Sequence, residues 1–180
     1  MIRQTTLQPR TSQLRDGRSV TIRALAESDR EAMTRFGSAL PEDDWLYLEL
    51  DFHNPNTITR LVNAAAAENW RQVVAEYEGA IVGYSNVRLL PGWKSHVADT
   101  HLVISEGWRR SGLGLEVAQT ILEAARDLGV TKVIAEMPDE QRAGRAIFKH
   151  LGFHVEGILN NHVRDHHGHY HDMVIMGYEL

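Results

Sequence analysis

Between residues 105 and 117 the chain reads SEGWRRSGLGLEV. Arg109 and Arg110 are permanent cations, and Gly112 and Gly114 follow them just before an apolar pattern of helical period. A glycine pair lets the backbone curl so that its N–H groups aim at one spot. A helix start adds the positive end of its dipole. Together these features make a seat for a phosphate-like anion. A plain turn with solvated arginines fits the same spacing, because short glycine motifs are weak signals. Two standard phosphate motifs are absent: there is no third glycine of a dinucleotide fingerprint and no Gly-Lys-Ser/Thr ending of a P-loop.

Three other groups carry chemistry. Asp99 and His101 stand two apart in SHVADTHLVIS and share one face of a predicted strand. LPEDDWLYLELDF gathers Glu42, Asp43, Asp44, Glu49 and Asp51 around Trp45 and Tyr47. Carboxylates beside aromatic rings suit a cationic amine through ion pairing and cation–π contact. The competing reading is a solvated acidic helix edge with Trp45 and Leu48 in the core. Seven of the ten histidines lie between His150 and His171. His167, His169 and His171 alternate, so they can share a strand face and bind Zn²⁺ or Ni²⁺. A polar hairpin turn around Gly168, with imidazoles facing water, explains them as well.

These groups need elements to hold them. LRDGRSVTIRAL predicts a strand after an Asp16-Gly17 turn. AESDREAMTRFGSAL predicts a helix capped by Ser28, and NTITRLVNAAAAENW a second one begun by Asn56 or Thr57. RQVVAEYEGAIVGYSNVRLL predicts two strands around Glu78-Gly79, and SHVADTHLVIS a third. Leu113, Val117, Ile121, Ala125 and Leu128 then fall on one helical stripe, ended by Gly129. TKVIAEM predicts a strand, DEQRAGRAIFKHL a helix, and the last 28 residues two strands joined by HHGH. The sum is one mixed α/β domain with antiparallel hairpins at its ends.

Composition limits the function. The 180 residues are 24% charged and 43% hydrophobic, with a formal net charge of −5. That balance is globular and disfavours a nucleic-acid partner. No apolar run approaches the ~18 residues of a membrane span, and the polar N-terminus lacks the apolar core of a secretion signal. The chain has no cysteine, so thiol catalysis and disulfides are excluded and a cytoplasmic location is expected.

Arg109-x-x-Gly112-x-Gly114 resembles the acetyl-CoA pyrophosphate loop of the GNAT superfamily of N-acetyltransferases, whose pattern is Gln/Arg-x-x-Gly-x-Gly/Ala between a strand and a helix. QRAGRAIFKHLGFHVEG is similar to that superfamily's later motif, with Gly152-Phe153 and Glu156-Gly157 in place. The likeness covers residues 19–180, with 1–18 as an N-terminal segment, and is nearest to a broad bacterial branch. It is weaker toward the acyltransferase domains of bacterial protein-lysine acetyltransferases.

The resemblance implies an α/β (α+β) fold: a mixed, mostly antiparallel sheet of about six to seven strands, flanked by helices, with its middle strands splayed. It implies acetyl-CoA as cosubstrate, with no metal, and an amine acceptor attacking the thioester directly. The backbone of Leu102, Val103 and Ile104 would pair with the pantetheine arm. Arg109 and the N–H groups of Arg110, Ser111, Gly112, Leu113, Gly114 and Leu115 would hold the pyrophosphate. Gln141 replaces the usual Asn, and Phe148 replaces the usual Tyr that protonates the departing thiolate. Tyr84, Tyr170 and Tyr178 are the alternative phenols. Asp99 and His101 are candidates for the base or water relay, with Glu136 and Glu76 behind them. Trp45, Tyr47 and Glu76 are candidates for the acceptor side. Family members commonly dimerise, which makes a homodimer an expectation. A non-catalytic acyl-CoA-binding sensor and a pure interaction module are the competing classes.

Overall fold

Alternating apolar side chains build a mixed sheet whose two faces are both covered. The computed structural model describes residues 7–47 and 49–180, residues 45–47 by backbone alone. The strands are β1 (Arg10–Gln13), β2 (Ser19–Ala24), β3 (Trp70–Tyr77), β4 (Ala80–Leu89), β5 (Val97–Ile104), β6 (Lys132–Pro138), β7 (His154–Arg164) and β8 (Tyr170–Glu179). The helices are α1 (Arg30–Ala39), α2 (Pro55–Asn63), α3 (Leu113–Asp127) and α4 (Arg142–His150), with short 3₁₀ turns between. The sheet order is β1-β2-β3-β4-β5-β6-β8-β7. Neighbours are antiparallel except for β5 and β6.

The sheet has eight strands rather than six or seven. The extra strand is β1, whose Arg10–Gln13 pair with Ile22–Ser19 across the Asp16-Gly17 turn. The first two helices also begin elsewhere than expected. Ser28 lies in a 3₁₀ turn and α1 starts at Arg30, because the Asp29 carboxylate accepts from the Ala26 N–H at 2.8 Å and thereby closes the preceding turn. Asn54, not Asn56 or Thr57, caps α2: its Oδ1 accepts from the Asn56 N–H at 2.9 Å, and Pro55 takes the first helical position.

Two apolar clusters fill the space on either side of the sheet. In β3, Val73 and Ala75 face the α3 side, while Val74 between them faces α1 and α2. The stripe Leu113, Val117, Ile121 and Ala125 is fully buried against the first side. Met33, Phe36, Ile58 and Leu61 fill the second. Glu78 and Gly79 both have positive φ, at 47° and 80°, the geometry of a tight β3–β4 hairpin. No helix among the described residues is long and apolar enough to cross a membrane.

The feature that shapes the site is where β5 and β6 part. They pair in parallel from Val97↔Lys132 to Thr100↔Ala135 and no further. Both strands run on, β5 to Ile104 against β4 and β6 to Pro138 against β8. His101–Ile104 therefore have a sheet partner on one side only.

Candidate active site

Beyond Thr100↔Ala135 lies a cavity of about 600 Å³. Its walls come from β5 (His101, Leu102, Val103), β6 (Glu136, Met137, Pro138), α4 (Gln141, Gly144, Phe148) and the end of β7 (His162, Val163, Arg164). Glu49 and Asp51 close it from the segment before α2. The unpaired side of β5 thus faces a space large enough for a ligand chain.

The loop after β5 rises into α3. Arg110 adopts φ 60° and Gly112 φ 90°, left-handed values that turn successive N–H groups inward. Ser111 is buried; its hydroxyl donates to the Trp108 carbonyl at 2.5 Å and accepts from the Leu113 N–H at 3.3 Å. The first N–H groups of a helix lack partners within it, so those of Gly114 and Leu115 point out of the end of α3. A cradle for a diphosphate has this form. The β1–β2 turn supports it: the Arg15 N–H donates to the Ser111 carbonyl at 3.2 Å, and the Arg18 guanidinium lies 3.6 Å from the Trp108 ring centroid. A second cavity of about 390 Å³ opens beside Ser111, Gly112 and Leu115, walled by Arg15 and His150.

Arg109 is placed differently from the free cation the spacing implied. Its guanidinium is ion-paired with Asp44 and donates from Nε to the Ile104 carbonyl at 3.2 Å. It ties the end of β5 to the 3₁₀ turn Glu42–Tyr47. Arg110 is exposed.

The titratable groups converge. Glu49, Asp99 and His101 present atoms within 4.8 Å of one another. His101 Nε2 lies 2.5 Å from Glu49 Oε2, and Nδ1 lies 3.2 Å from Asn86 Oδ1. Both ring nitrogens thus have protein partners. Burial alone would lower the His101 pKa, but the Glu49 hydrogen bond and the charges of Glu49, Asp99 and Glu136 outweigh it and raise it. Glu49 is held below the usual carboxylate value chiefly by the His101 hydrogen bond. Asp99 is pushed up by burial, and its buried Oδ1 has no hydrogen-bond partner among the described residues. Glu136 is raised by burial and by Glu49 and Asp99. Perturbed groups gathered at a cleft make this a candidate functional site.

Other expected residues lie elsewhere or take other roles. Glu76 is absent from the cavity lining; it accepts from Arg23 Nε at 2.9 Å and Nη2 at 2.5 Å, in a network that Asp29 completes. Tyr84 is fully buried and donates to Gln72 Oε1 at 2.7 Å, with burial pushing its pKa up. Tyr170 is exposed, Tyr178 stacks on Phe153, and neither lines the cavity. The side chains of Trp45 and Tyr47, and all of Leu48, lie outside the described residues. Phe148 is buried at the cavity wall, edge-on to Phe153 at 5.0 Å. Gln141 lines the same wall at the start of α4.

The histidine-rich tip is a hairpin turn. Asp165 Oδ1 accepts from the N–H groups of His167 and His169, both at 2.9 Å, and Gly168 takes φ 86°. His171 is tied down on both ring nitrogens: it bridges Glu140 and Asp165, each at 2.8 Å.

A family model described as "Acetyltransferase (GNAT) family" matches residues 26–153. The chain is 32% identical over 94 residues to "Probable N-acetyltransferase 14" of Danio rerio, covering 51% of this chain and 31% of that protein. It is 30% identical over 88 residues to "Uncharacterized N-acetyltransferase YjgM" of Escherichia coli (strain K12), covering 48% and 53%. The matched region spans about a third to a half of those relatives' own length. Among solved structures, yncA from Salmonella typhimurium with its cofactor acetyl-CoA superposes with a TM-score of 0.78 at 18% identity, covering 89% of this chain and 94% of that one.

Proposed function

The chain belongs to the GNAT acetyltransferase family, and on that footing we propose that it moves an acetyl group from acetyl-CoA to a cationic primary amine: a small amine, a polyamine or a protein amine. The observation that carries the reading is the open side of β5 beyond Thr100, which faces a cavity lined by Glu49, His101 and Glu136, with Asp99 within 4.8 Å of Glu49 and His101.

The unpartnered N–H groups at the start of α3 and the left-handed turn before them support an anion such as the cosubstrate's diphosphate. A Cβ at Gly112 would meet Arg15 Nε at 3.1 Å on top of the unfavourable φ, and one at Gly114 would meet Ile147 at 2.8 Å, so both positions are kept bare. The residues that would hold acetyl-CoA are Leu102, Val103 and Ile104 along the strand edge, Arg110 to Leu115 at the helix end, and Gln141 and Phe148 on α4. Arg109 would fix the loop against Asp44. Bound acetyl-CoA supplies an activated acetyl thioester.

The chain's own groups do the rest. Glu49 and Glu136 line the cavity with carboxylates that draw in an ammonium. An attacking amine must lose a proton, and neutral His101 accepts it at Nε2, directly or through one water. Asp99 on the same strand face stabilises the imidazolium that results. Phe148 offers no proton, so the departing thiolate takes one from solvent.

Phe148 also supports a second reading, an acyl-CoA-binding sensor with weak or no turnover. Coenzyme release with acetyl-CoA and a panel of polyamines, lysine peptides, and neutral and anionic amines decides between them. Transfer confined to cationic amines is expected. Tight acetyl-CoA binding with no release in any well makes the protein a sensor, and transfer only to neutral or anionic amines refutes the acceptor class.

A further inference from the structure

His101 is a register partner of Asn86 across β4 and β5. Behind Asn86 runs a chain of buried polar groups that a core of this size does not need for packing. Asn86 Nδ2 donates to the Tyr84 hydroxyl oxygen at 3.0 Å, Tyr84 donates to Gln72 Oε1 at 2.7 Å, and Gln72 Nε2 donates to the Leu61 carbonyl at 2.8 Å. Gln72, Tyr84 and Asn86 are 5%, 0% and 1% exposed. The run ends on α2, on the far side of the sheet from α3.

The end of this chain dictates its direction. A backbone carbonyl can only accept, so the group that Gln72 turns toward Leu61 must be its amide nitrogen. Gln72 Oε1 then faces Tyr84 and must receive the phenol proton. With its proton committed, the Tyr84 oxygen can only accept from the next group, which must be Asn86 Nδ2. Asn86 Oδ1 is left facing His101 Nδ1, and an acceptor there requires an N–H on Nδ1.

We propose that Asn86, backed by Tyr84 and Gln72, is a positioning residue that keeps the His101 proton on Nδ1 and leaves Nε2 as the nitrogen presented to the acceptor. The assignment rests on the reading of His101 as the base, and adds the reason why one nitrogen of its ring performs that role.

One competing force opposes this tautomer. Glu49 faces Nε2 and favours a proton there. To satisfy Glu49 with a neutral ring, all three side chains of the relay would have to reverse, and Gln72 Oε1 would then face the Leu61 carbonyl, acceptor against acceptor, in the core. Glu49 has an easier course, since its side chain is 69% exposed and can turn to water. The buried relay therefore sets the tautomer of the neutral ring. With the ring protonated, both contacts are made at once.

The test reads the tautomer directly. Two-bond ¹H–¹⁵N spectra of the labelled protein at about pH 10, well above the ordinary histidine value of ~6.5, report which nitrogen of neutral His101 holds the proton. The signal is identified by its loss in H101Q. The expected result is a proton on Nδ1 in the wild type, a shift toward Nε2 in N86L, and retention on Nδ1 in N86D, whose carboxylate still accepts. A wild-type proton on Nε2, which needs no variant to observe, overturns the proposal, as does an unchanged tautomer in a folded N86L. In transfer to the amine that turns over best in the acceptor panel, N86L lowers kcat about tenfold, less than the ~10²–10⁴-fold that losing the base outright costs, with KM for acetyl-CoA held; N86D restores kcat with its acid limb at higher pH. Full activity in H101Q overturns the base reading separately, whatever the tautomer.

Discussion

Thr100 and Ala135 are the last residues that β5 and β6 pair before the strands part. Past Ala135, β6 is fully engaged with β8 through Glu136↔Ile175, Met137↔Val174 and Pro138↔Met173, while β5 stays with β4 through Leu102↔Ser85, Val103↔Tyr84 and Ile104↔Gly83. Each strand follows its other neighbour, and the backbone of β5 that would have continued the ladder faces the cavity instead.

That edge predicts a footprint. Acetyl-CoA slows amide hydrogen exchange at residues 101–104 and 110–115 and leaves β1 and the first half of β7, residues 154–158, unchanged. At a hundredfold excess over Kd it also stabilises the fold by about 2.7 kcal/mol, read as a higher midpoint in thermal unfolding. Protection confined to other segments moves the cosubstrate off this edge.

Much of this arrangement was legible in the sequence. The stripe from Leu113 to Ala125 and the Glu78-Gly79 turn are local signals, set by period and by φ, and the structure keeps both. The glycine loop was equally plain, because its turn lies within a few residues. What was not legible depends on which strand lies beside which. Arg10–Gln13 is a strand by pairing with β2 rather than by its own pattern. Asn86 reads as an ordinary polar strand residue until register sets it against His101. Nor does anything in the spacing of Arg109 announce Asp44, 65 residues earlier, as its partner.

Glu49 sets the working pH. Its hydrogen bond and charge raise the His101 pKa, so the base form is reached at higher pH than in an unperturbed histidine. Removing the charge in E49Q leaves burial as the main influence, which lowers the pKa. The acid limb of kcat/KM therefore moves to lower pH in E49Q, while H101Q loses ~10²–10⁴-fold and the limb disappears. An E49Q limb displaced upward contradicts the electrostatics of the site. An acceptor ammonium that draws Glu49 away from His101 produces the same effect on binding, freeing Nε2 as the substrate arrives.

Phe148 separates enzyme from sensor. Its ring is buried at the cavity wall and packs on Phe153. F148Y keeps that packing and adds a hydroxyl on a residue that lines the cavity. We expect kcat to rise about tenfold, below the full ~10²–10⁴-fold a well-placed general acid supplies, with the KM for acetyl-CoA within about twofold. F148A instead loses roughly 3–5 kcal/mol of stability, measured by urea unfolding. If F148Y leaves kcat unchanged, solvent protonation of the thiolate is already fast enough and the acid is not limiting.

His171 gives the hairpin tip a pH dependence of its own. It bridges Asp165 in the β7–β8 turn to Glu140, which directly precedes Gln141 at the cavity wall. The hydrogen bond to Asp165, then that to Glu140, raises its pKa. A group with a raised folded pKa stabilises fully below the unfolded value, ~6.5 for histidine, and loses that contribution as pH rises through the folded value. Asp165 and Glu140 are lowered by the same contacts, so their contribution is present above the ordinary carboxylate range and fades as pH falls below it. The tie is therefore strongest at mildly acidic pH. Relative to H171N, the wild type loses stability as pH rises above about 6, and exchange at residues 165–171 and 139–141 quickens together over that rise. If the two proteins keep a constant difference in midpoint from pH 6 to pH 9, His171 is not the titrating link. If only the hairpin quickens while residues 139–141 hold, the turn and the α4 loop are not coupled through it.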